Sequence, residues 1–318
     1  AALASFPTRI DCGRAEALGL PSDDSVEAIV REYCEDFSGD LAEGIALSPP
    51  RAASVAKQDE SVVLVTGGGS GIGRAVALRL ARGGWMRERP NSRVVIVLTG
   101  RRRDALEETA RLISELAPDA HPMVVPADLT RERDVAALFR AIEQGHGRLD
   151  LLFNNAGANV PPTTFGDMEL REWEGVIGIN LNAAFHVARE AYRMMAAQSP
   201  AGGRIINNGS ISATVPRPGS VAYTASKHAI LGMTKSIALD GRSSNIACGQ
   251  VDFGNVVSAI SAQMATGMPQ ADGSIRPEPR MSQEDAADSV HSMAALPLSA
   301  NVLQMTVMAS HMPFVGRG

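Results

Sequence analysis

The chain has 318 residues, 45% of them hydrophobic, and a formal net charge of −5. That length and apolar content allow one large core with room for an appendage, while the acidic balance and the lack of a basic run argue against nucleic acid as a partner, since phosphate binding needs clustered Lys and Arg. Three cysteines, Cys12, Cys34 and Cys248, are odd in number and far apart, so neither a disulfide framework nor a zinc site is expected, a reducing cytoplasmic setting is the default, and no apolar run is long enough for a membrane span.

Residues 1–60 read as an N-terminal extension with one helix from Ser25 to Phe37, where Val26, Ile29, Val30, Tyr33 and Phe37 recur at helical spacing. The extension is a surface-packed or loosely held arm, an oligomer contact or a targeting remnant. No secretory leader is expected, and Asp11 and Glu16 argue against an organelle transit peptide. Pro49-Pro50 and the polar run Lys57 to Glu60 mark the boundary with a main domain over residues 61–318.

From Ser61 onward, short β-branched runs at Ser61–Thr66, Val94–Leu98, Met123–Val125, Leu151–Phe153 and Arg204–Asn207 alternate with segments that read as helices. Continuous apolar strands between helices predict a parallel sheet covered on both faces, an α/β doubly wound fold of Rossmann type. Met86 to Arg93 reads as a surface loop inserted before the second strand, and Val302–Met308 as the last strand.

The first strand runs directly into Thr66-Gly67-Gly68-Gly69-Ser70-Gly71-Ile72-Gly73 and a helix from near Ile72. In that context Gly67 permits a tight turn, Gly71 lets the backbone approach a pyrophosphate, and Gly73 allows close helix packing at an N-terminus that favours anions. After the second strand, Arg101 and Arg102 stand where an acid would accept bonds from a ribose 2′-hydroxyl, and guanidinium groups suit a 2′-phosphate. The cofactor expected is NADP(H), with NAD(H) possible. The alternative is a solvated turn or pairing with Glu107 and Glu108. Further on, Tyr223 and Lys227 lie four apart on one helical face, so the ammonium is expected to depress the phenol and make a usable proton donor or acceptor. The six histidines show no metal-ligand spacing, and no metal is expected. His228 is expected to face neighbouring structure.

Taken together, Thr66-Gly67 with Gly71-Ile72-Gly73, Asp128-Leu129-Thr130, Asn154-Asn155-Ala156-Gly157, Asn180, Ser210, and Tyr223 with Lys227 resemble the short-chain dehydrogenase/reductase family in its single-domain form. The resemblance implies a hydride-transferring oxidoreductase acting on a small-molecule alcohol or carbonyl. It implies that the glycine turn, with Ser70 and Ile72, holds the diphosphate, that Asp128 and Leu129 sit against the adenine, and that Asn155 lies near the nicotinamide ribose. Tyr223 is then the general acid or base, Lys227 lowers its pKa and bonds the ribose, and both belong to the cofactor contacts. Ser210 holds the substrate oxygen, with Ser212 as the fallback, and Asn180 supports a water-linked relay.

Taken alone, Asn180 and Asn155 read as backbone clamps. The family's Pro-Gly after the sixth strand is Phe253-Gly254 here. The Val256 backbone is expected to take the carboxamide contact, Ser258 to replace a threonine, and Ala259 to Met281, with Met264, Met268 and Met281, to form an apolar substrate lid. The tail implies a homodimer or homotetramer. A non-catalytic dinucleotide-binding protein on the same fold is the competing reading.

Overall fold

The computed structural model describes residues 60–314 apart from 88, 259–260 and 271. The expected helix at Ser25–Phe37, Cys12, Cys34 and the last four residues of the tail lie outside them. The strands are β1 (Glu60–Thr66), β2 (Arg93–Gly100), β3 (His121–Pro126), β4 (Leu151–Asn154), β5 (Gly203–Asn208) and β6 (Ile246–Phe253). A short antiparallel hairpin, β7 (Met268–Pro269) and β8 (Ile275–Arg276), precedes the last strand β9 (Gln304–Val307). Seven strands form one parallel sheet in the order β3-β2-β1-β4-β5-β6-β9.

The alternation of side chains explains why the strands are apolar throughout. On β1 and β2, Val63, Val65, Ile96 and Leu98 face one side, where helices α1 (Gly71–Ala81), α2 (Arg103–Leu116) and α7 (Gln283–Ala294) bring Leu80, Ile113 and Val290. The intervening Val62, Leu64, Val95 and Val97 face the other, against Leu138 and Ile142 of α3 (Glu132–His146) and Val187 and Met195 of α5 (Ala183–Ala197). A strand buried on both faces has no polar positions to spare. Helix α4 (Leu170–Ile177) runs through a π-helical turn, Gly178–Asn182, into α5, and α6 (Val221–Asp240) lies between β5 and β6 in sequence.

The order reverses at β1, whose neighbours are β2 and β4, and the chain leaves both β1 and β4 at their C-terminal ends there. Such a switch point opens the crevice in which ligands of doubly wound sheets bind. At the opposite end the described residues between Met86 and Ser92 form a loop, with Arg93 already in β2, and the loop is anchored. Arg89 donates to the Glu60 carbonyl at 2.7 Å and pairs with buried Asp150, which also takes Arg148 at 2.7 Å and the Val62 N–H at 2.8 Å. No helix among the described residues is long and apolar enough to cross a membrane.

Candidate functional site

The crevice is built first by glycine. Gly67 and Gly71 have φ of +66° and +56°, a region that side-chain-bearing residues avoid. A Cβ at Gly73 would fall 2.3 Å from the Gly67 carbonyl oxygen, so α1 starts directly against the turn. At Gly71 an added Cβ would meet nothing closer than Ser258 Cβ at 3.9 Å. The backbone is thus bare where α1 presents its free N–H groups, and a diphosphate fits that opening. Ile72 lines the inner half of the crevice.

The outer half is a cleft of about 840 Å³ lined by Gly67, Ser70, Arg101, Arg102, Asp128 and Leu129 among others. Arg102 Nη2 donates to Ser70 Oγ at 3.3 Å, which bends the guanidinium over the turn. The acids that offered an alternative for these arginines are engaged elsewhere, Glu107 with Arg103 and Glu108 with Arg111. Asp128 accepts from the Thr130 hydroxyl at 2.7 Å and its N–H at 3.1 Å. The hydroxyl bond, followed by the N–H bond and the charges of Arg131 and Arg101, holds this carboxyl below its ordinary range against partial burial. Leu129 packs its side chain into the core on one face of the sheet.

Asn155 ties β4 to β1. Its N–H donates to Thr66 Oγ1 at 2.7 Å, its Nδ2 to the Thr66 carbonyl at 2.8 Å, and its Oδ1 accepts from Asn208 at 2.7 Å. Asn180 is 2% exposed and bridges in the same way: Oδ1 accepts from Ala158 N–H at 2.8 Å, and Nδ2 donates to the Ala158 carbonyl at 3.0 Å and Ser226 Oγ at 3.1 Å. Both side chains act as the backbone clamps that stood as their alternative reading, and Asn180 sits in the π-helical turn, which sets it against Ala158 and α6.

The inner half, about 480 Å³, brings together Ser210, Tyr223, Lys227, Phe253, Val256 and Ser258. Ser210 caps the short turn Ile211–Ala213, accepting from Ser212 N–H at 3.1 Å, and it lines the cleft together with Tyr223. Ser212 is buried in that turn. Helix α6 presents Tyr223 and Lys227 together; Lys227 Nζ donates to the Asn208 carbonyl at 2.7 Å and lies 5.6 Å from the centre of the tyrosine ring. Burial pushes the Lys227 ammonium down to about 8, against the raising charge of Asp252. Burial also raises the Tyr223 phenol, opposed by the Ser210 hydroxyl and the charge of Arg217. The expected depression of the phenol is therefore not what this geometry gives: desolvation outweighs the Ser210 and Arg217 contributions, and the Lys227 ammonium is turned to the Asn208 carbonyl.

At the end of β6, Phe253 is buried in the core and also lines the cleft, and beyond the strand Val256 is buried in a bridge with Met281. Ser258 is bonded to Ser261 through both its N–H (3.0 Å) and its hydroxyl (3.3 Å). Met264 and Met268 line the cleft, but Met281 belongs to the core, because its bridge to Val256 draws it inward. His228 is exposed and bonds the Thr224 carbonyl of its own helix rather than neighbouring structure.

Four residues near the site carried no sequence signal. Glu278, whose side chain is fully buried, accepts from Arg217 at 2.9 Å, Asn255 at 2.7 Å and Gln270 at 3.0 Å. Arg217 and Asn255 line the inner cleft. Asp252 accepts from the Ser210 N–H at 2.9 Å.

The sequence profile described as short chain dehydrogenase matches residues 61–268. The chain belongs to that family. It is 30% identical over 249 residues to sulfoacetaldehyde reductase 2 of Chromohalobacter salexigens, covering 78% of this chain and 93% of that one. It is 35% identical to a 3beta-hydroxysteroid dehydrogenase of Mediterraneibacter gnavus over 193 residues, 61% of this chain and 65% of the relative. A metagenomic short-chain oxidoreductase solved in complex with NADP is 27% identical with a TM-score of 0.63, covering 79% of this chain and 97% of that one. Levodione reductase, at 24% identity, shares the fold with a TM-score of 0.67 over 78% of this chain and 95% of its own. This short-chain dehydrogenase is an NAD(P)-dependent oxidoreductase of alcohols and ketones that acts on small molecules and uses a nicotinamide dinucleotide.

Proposed function

We propose that this dehydrogenase interconverts a secondary alcohol and a ketone with NADP(H), using Tyr223 as general acid in reduction and its phenolate as general base in oxidation. The observation that carries the reading is that Ser210, Tyr223 and Lys227 line one cleft beside Ile72 of the glycine turn, with Lys227 Nζ 5.6 Å from the centre of the tyrosine ring. The residues present fit the cofactor. The turn from Gly67 to Gly73 and the α1 N-terminus would hold the diphosphate, Arg101 and Arg102 the 2′-phosphate, and Asp128 and Leu129 the adenine. Asn155, Tyr223 and Lys227 would hold the nicotinamide ribose, and the Val256 main chain the carboxamide. The bound nicotinamide supplies or accepts the hydride.

The protein's own part is charge and proton handling. Ser210, its main chain fixed by Asp252, donates to the substrate oxygen next to Tyr223, so the carbonyl is polarised before charge develops. The Tyr223 hydroxyl then delivers its proton to that oxygen. Lys227, with its ammonium at about 8, stabilises the resulting phenolate and exchanges a proton with it in the neutral range. Asn180 supports the relay through the π-helical turn. Val160, Pro161, Pro162, Met264 and Met268 give the substrate side an apolar wall, which suits a ketone or alcohol with an apolar body.

The same reading places the enzyme in the cytoplasm as a homodimer or homotetramer. Phe185 on α5 and Leu239 on α6 are large apolar side chains exposed at 48% and 59%, and light scattering gives the assembly directly. The deciding experiment is a titration with NADPH and NADH, followed by turnover on a panel of ketones and alcohols, with wild type and Tyr223→Phe side by side. NADPH binding more tightly, with turnover lost and binding kept in the variant, is the expected result. A turnover undiminished in Tyr223→Phe would sink the assignment.

A further inference from the structure

Asp252 closes β6 with a side chain 1% exposed. Its Oδ1 accepts from the Ser210 N–H at 2.9 Å and from Gln250 Nε2 at 2.7 Å, and its Oδ2 from Gln304 Nε2 at 2.7 Å. These three donors are neutral. Gly209 permits the approach, since a Cβ there would lie 2.0 Å from Asp252 Oδ1. Gln250 is itself fully buried and meets Thr234 at 3.2 Å, which takes Asn207 at 2.9 Å, and Asn207 meets Asn154 at 3.2 Å. A buried polar chain thus crosses β4, β5, α6 and β6 and ends on the Ser210 backbone.

Neutral hydrogen bonds offset only part of the cost of burying a carboxylate, and the remainder calls for a cation. Among the described residues, three charged or titratable groups face this region. Lys227 and Tyr223 come from α6, and both feel the Asp252 charge; Arg217, from the loop before α6, acts on Tyr223, but its guanidinium is taken by Glu278. Lys227 is 6% exposed, and its hydrogen bond goes to the neutral Asn208 carbonyl.

We propose that Asp252 is a positioning residue of the catalytic site, clamping the Ser210 main chain by its N–H and serving as the counter-charge of the buried Lys227 ammonium. The inference rests on the roles given above to Ser210 and Lys227. Without that carboxylate the buried amine would lose its proton at lower pH, and Ser210 would lose the bond that fixes its turn. Asp252 therefore couples the substrate-holding hydroxyl to the proton relay through one side chain.

The test does not depend on knowing the substrate. The chain has three lysines, Lys57, Lys227 and Lys235, so ε-13C-lysine labelling gives three NMR signals, and Lys227→Met assigns the one of interest. In the full-length protein its midpoint is expected at about 8. In Asp252→Asn, which keeps the shape and removes the charge, the midpoint is expected to fall by more than about half a unit. Gln304→Arg places a guanidinium beside Oδ2 from an exposed position and is expected to shift it the same way by less; it decides the matter if Asp252→Asn does not fold. An unchanged midpoint in the folded variants overturns the counter-charge. The clamp is read from Asp252→Ala, expected to lower kcat about tenfold or more with NADPH affinity kept; a kcat equal to wild type overturns it. Failure of wild type to turn over any substrate would instead count against the oxidoreductase reading, while the NMR titration would still decide the counter-charge.

Discussion

At the scale of single residues, Lys227 shows what a buried ammonium costs the fold. Its ammonium titrates at about 8 in the folded chain, against an ordinary value of 10.5, so the folded state binds its proton less readily than the unfolded one. Stability must then rise with pH between about 8 and 10.5, because only below that window is the full penalty of the buried charge present. The gap corresponds to a penalty on the order of 3 kcal/mol at neutral pH. Lys227→Met removes it and leaves the Asn208 carbonyl without its 2.7 Å bond, an offset of about 1 kcal/mol. The variant is expected to be more stable than wild type by about 2 kcal/mol in urea denaturation at pH 7, to lose that advantage by pH 10, and to be inactive. A variant less stable than wild type at pH 7 would show the lysine to be a net structural asset. Tyr223 and Lys227 were legible in the sequence as a pair at helical spacing and Ser210 through the family resemblance, and the structure brings the three into one cleft. Asp252, Arg217 and Glu278 were not, since Asp252 meets Ser210 across 42 positions and Glu278 meets Arg217 across 61, and no periodicity marks such pairs.

At the scale of elements, the same contrast separates strands from lid. The five strands expected from apolar runs all form, each extended by at most two residues at either end, because burial on both faces leaves an unbroken hydrophobic signature. The last strand is shorter than expected, Gln304–Val307, and the π-helical turn at Gly178–Asn182 has no signature in composition. The segment expected as a lid was legible only as a stretch of Met, Gly and Pro. Among its described residues Glu278 joins the β7–β8 hairpin region through Gln270 to Asn255 after β6 and to Arg217 before α6. Burial would raise this carboxyl, but the bonds from Gln270, Asn255 and Arg217 hold it below its ordinary value. Its contribution is therefore present above the ordinary carboxylate range and lost as pH falls through the depressed value. Glu278→Gln strands Arg217, 12% exposed, beside a neutral partner, and is expected to cost about 3 kcal/mol and to raise KM for the carbonyl substrate. Adding Arg217→Met should recover part of that loss. Urea denaturation of the four proteins checks it, and a coupling under about 0.5 kcal/mol would mean that the lid is held by other contacts.

At the scale of the whole molecule, the cofactor crevice is a junction. It takes residues from the β1–α1 turn, the β2–α2 turn and the segments after β3 and β4, pieces that the sheet aligns but no single core unites: Val63 and Ile96 lie on one face, Leu64 and Val97 on the other. A ligand that touches all of them binds only when the sheet is assembled, so its binding energy becomes folding energy. At a hundred times its dissociation constant a cofactor adds about 2.7 kcal/mol, which for a domain of this size raises Tm by about 5–10 °C. The sequence favoured NADP(H) with NAD(H) possible, the arginines having Glu107 and Glu108 as alternative partners. Glu107 pairs with Arg103 and Glu108 with Arg111, while Arg102 donates to Ser70 at the rim of the cleft. At equal concentration NADPH is therefore expected to shift Tm more than NADH does. Arg102→Ala should erase most of that difference while leaving the NADH shift intact, since the guanidinium has no 2′-phosphate to meet there. Thermal denaturation of both proteins with each cofactor measures this directly. Equal shifts in wild type would place the arginines in solvent and turn the cofactor assignment toward NAD(H).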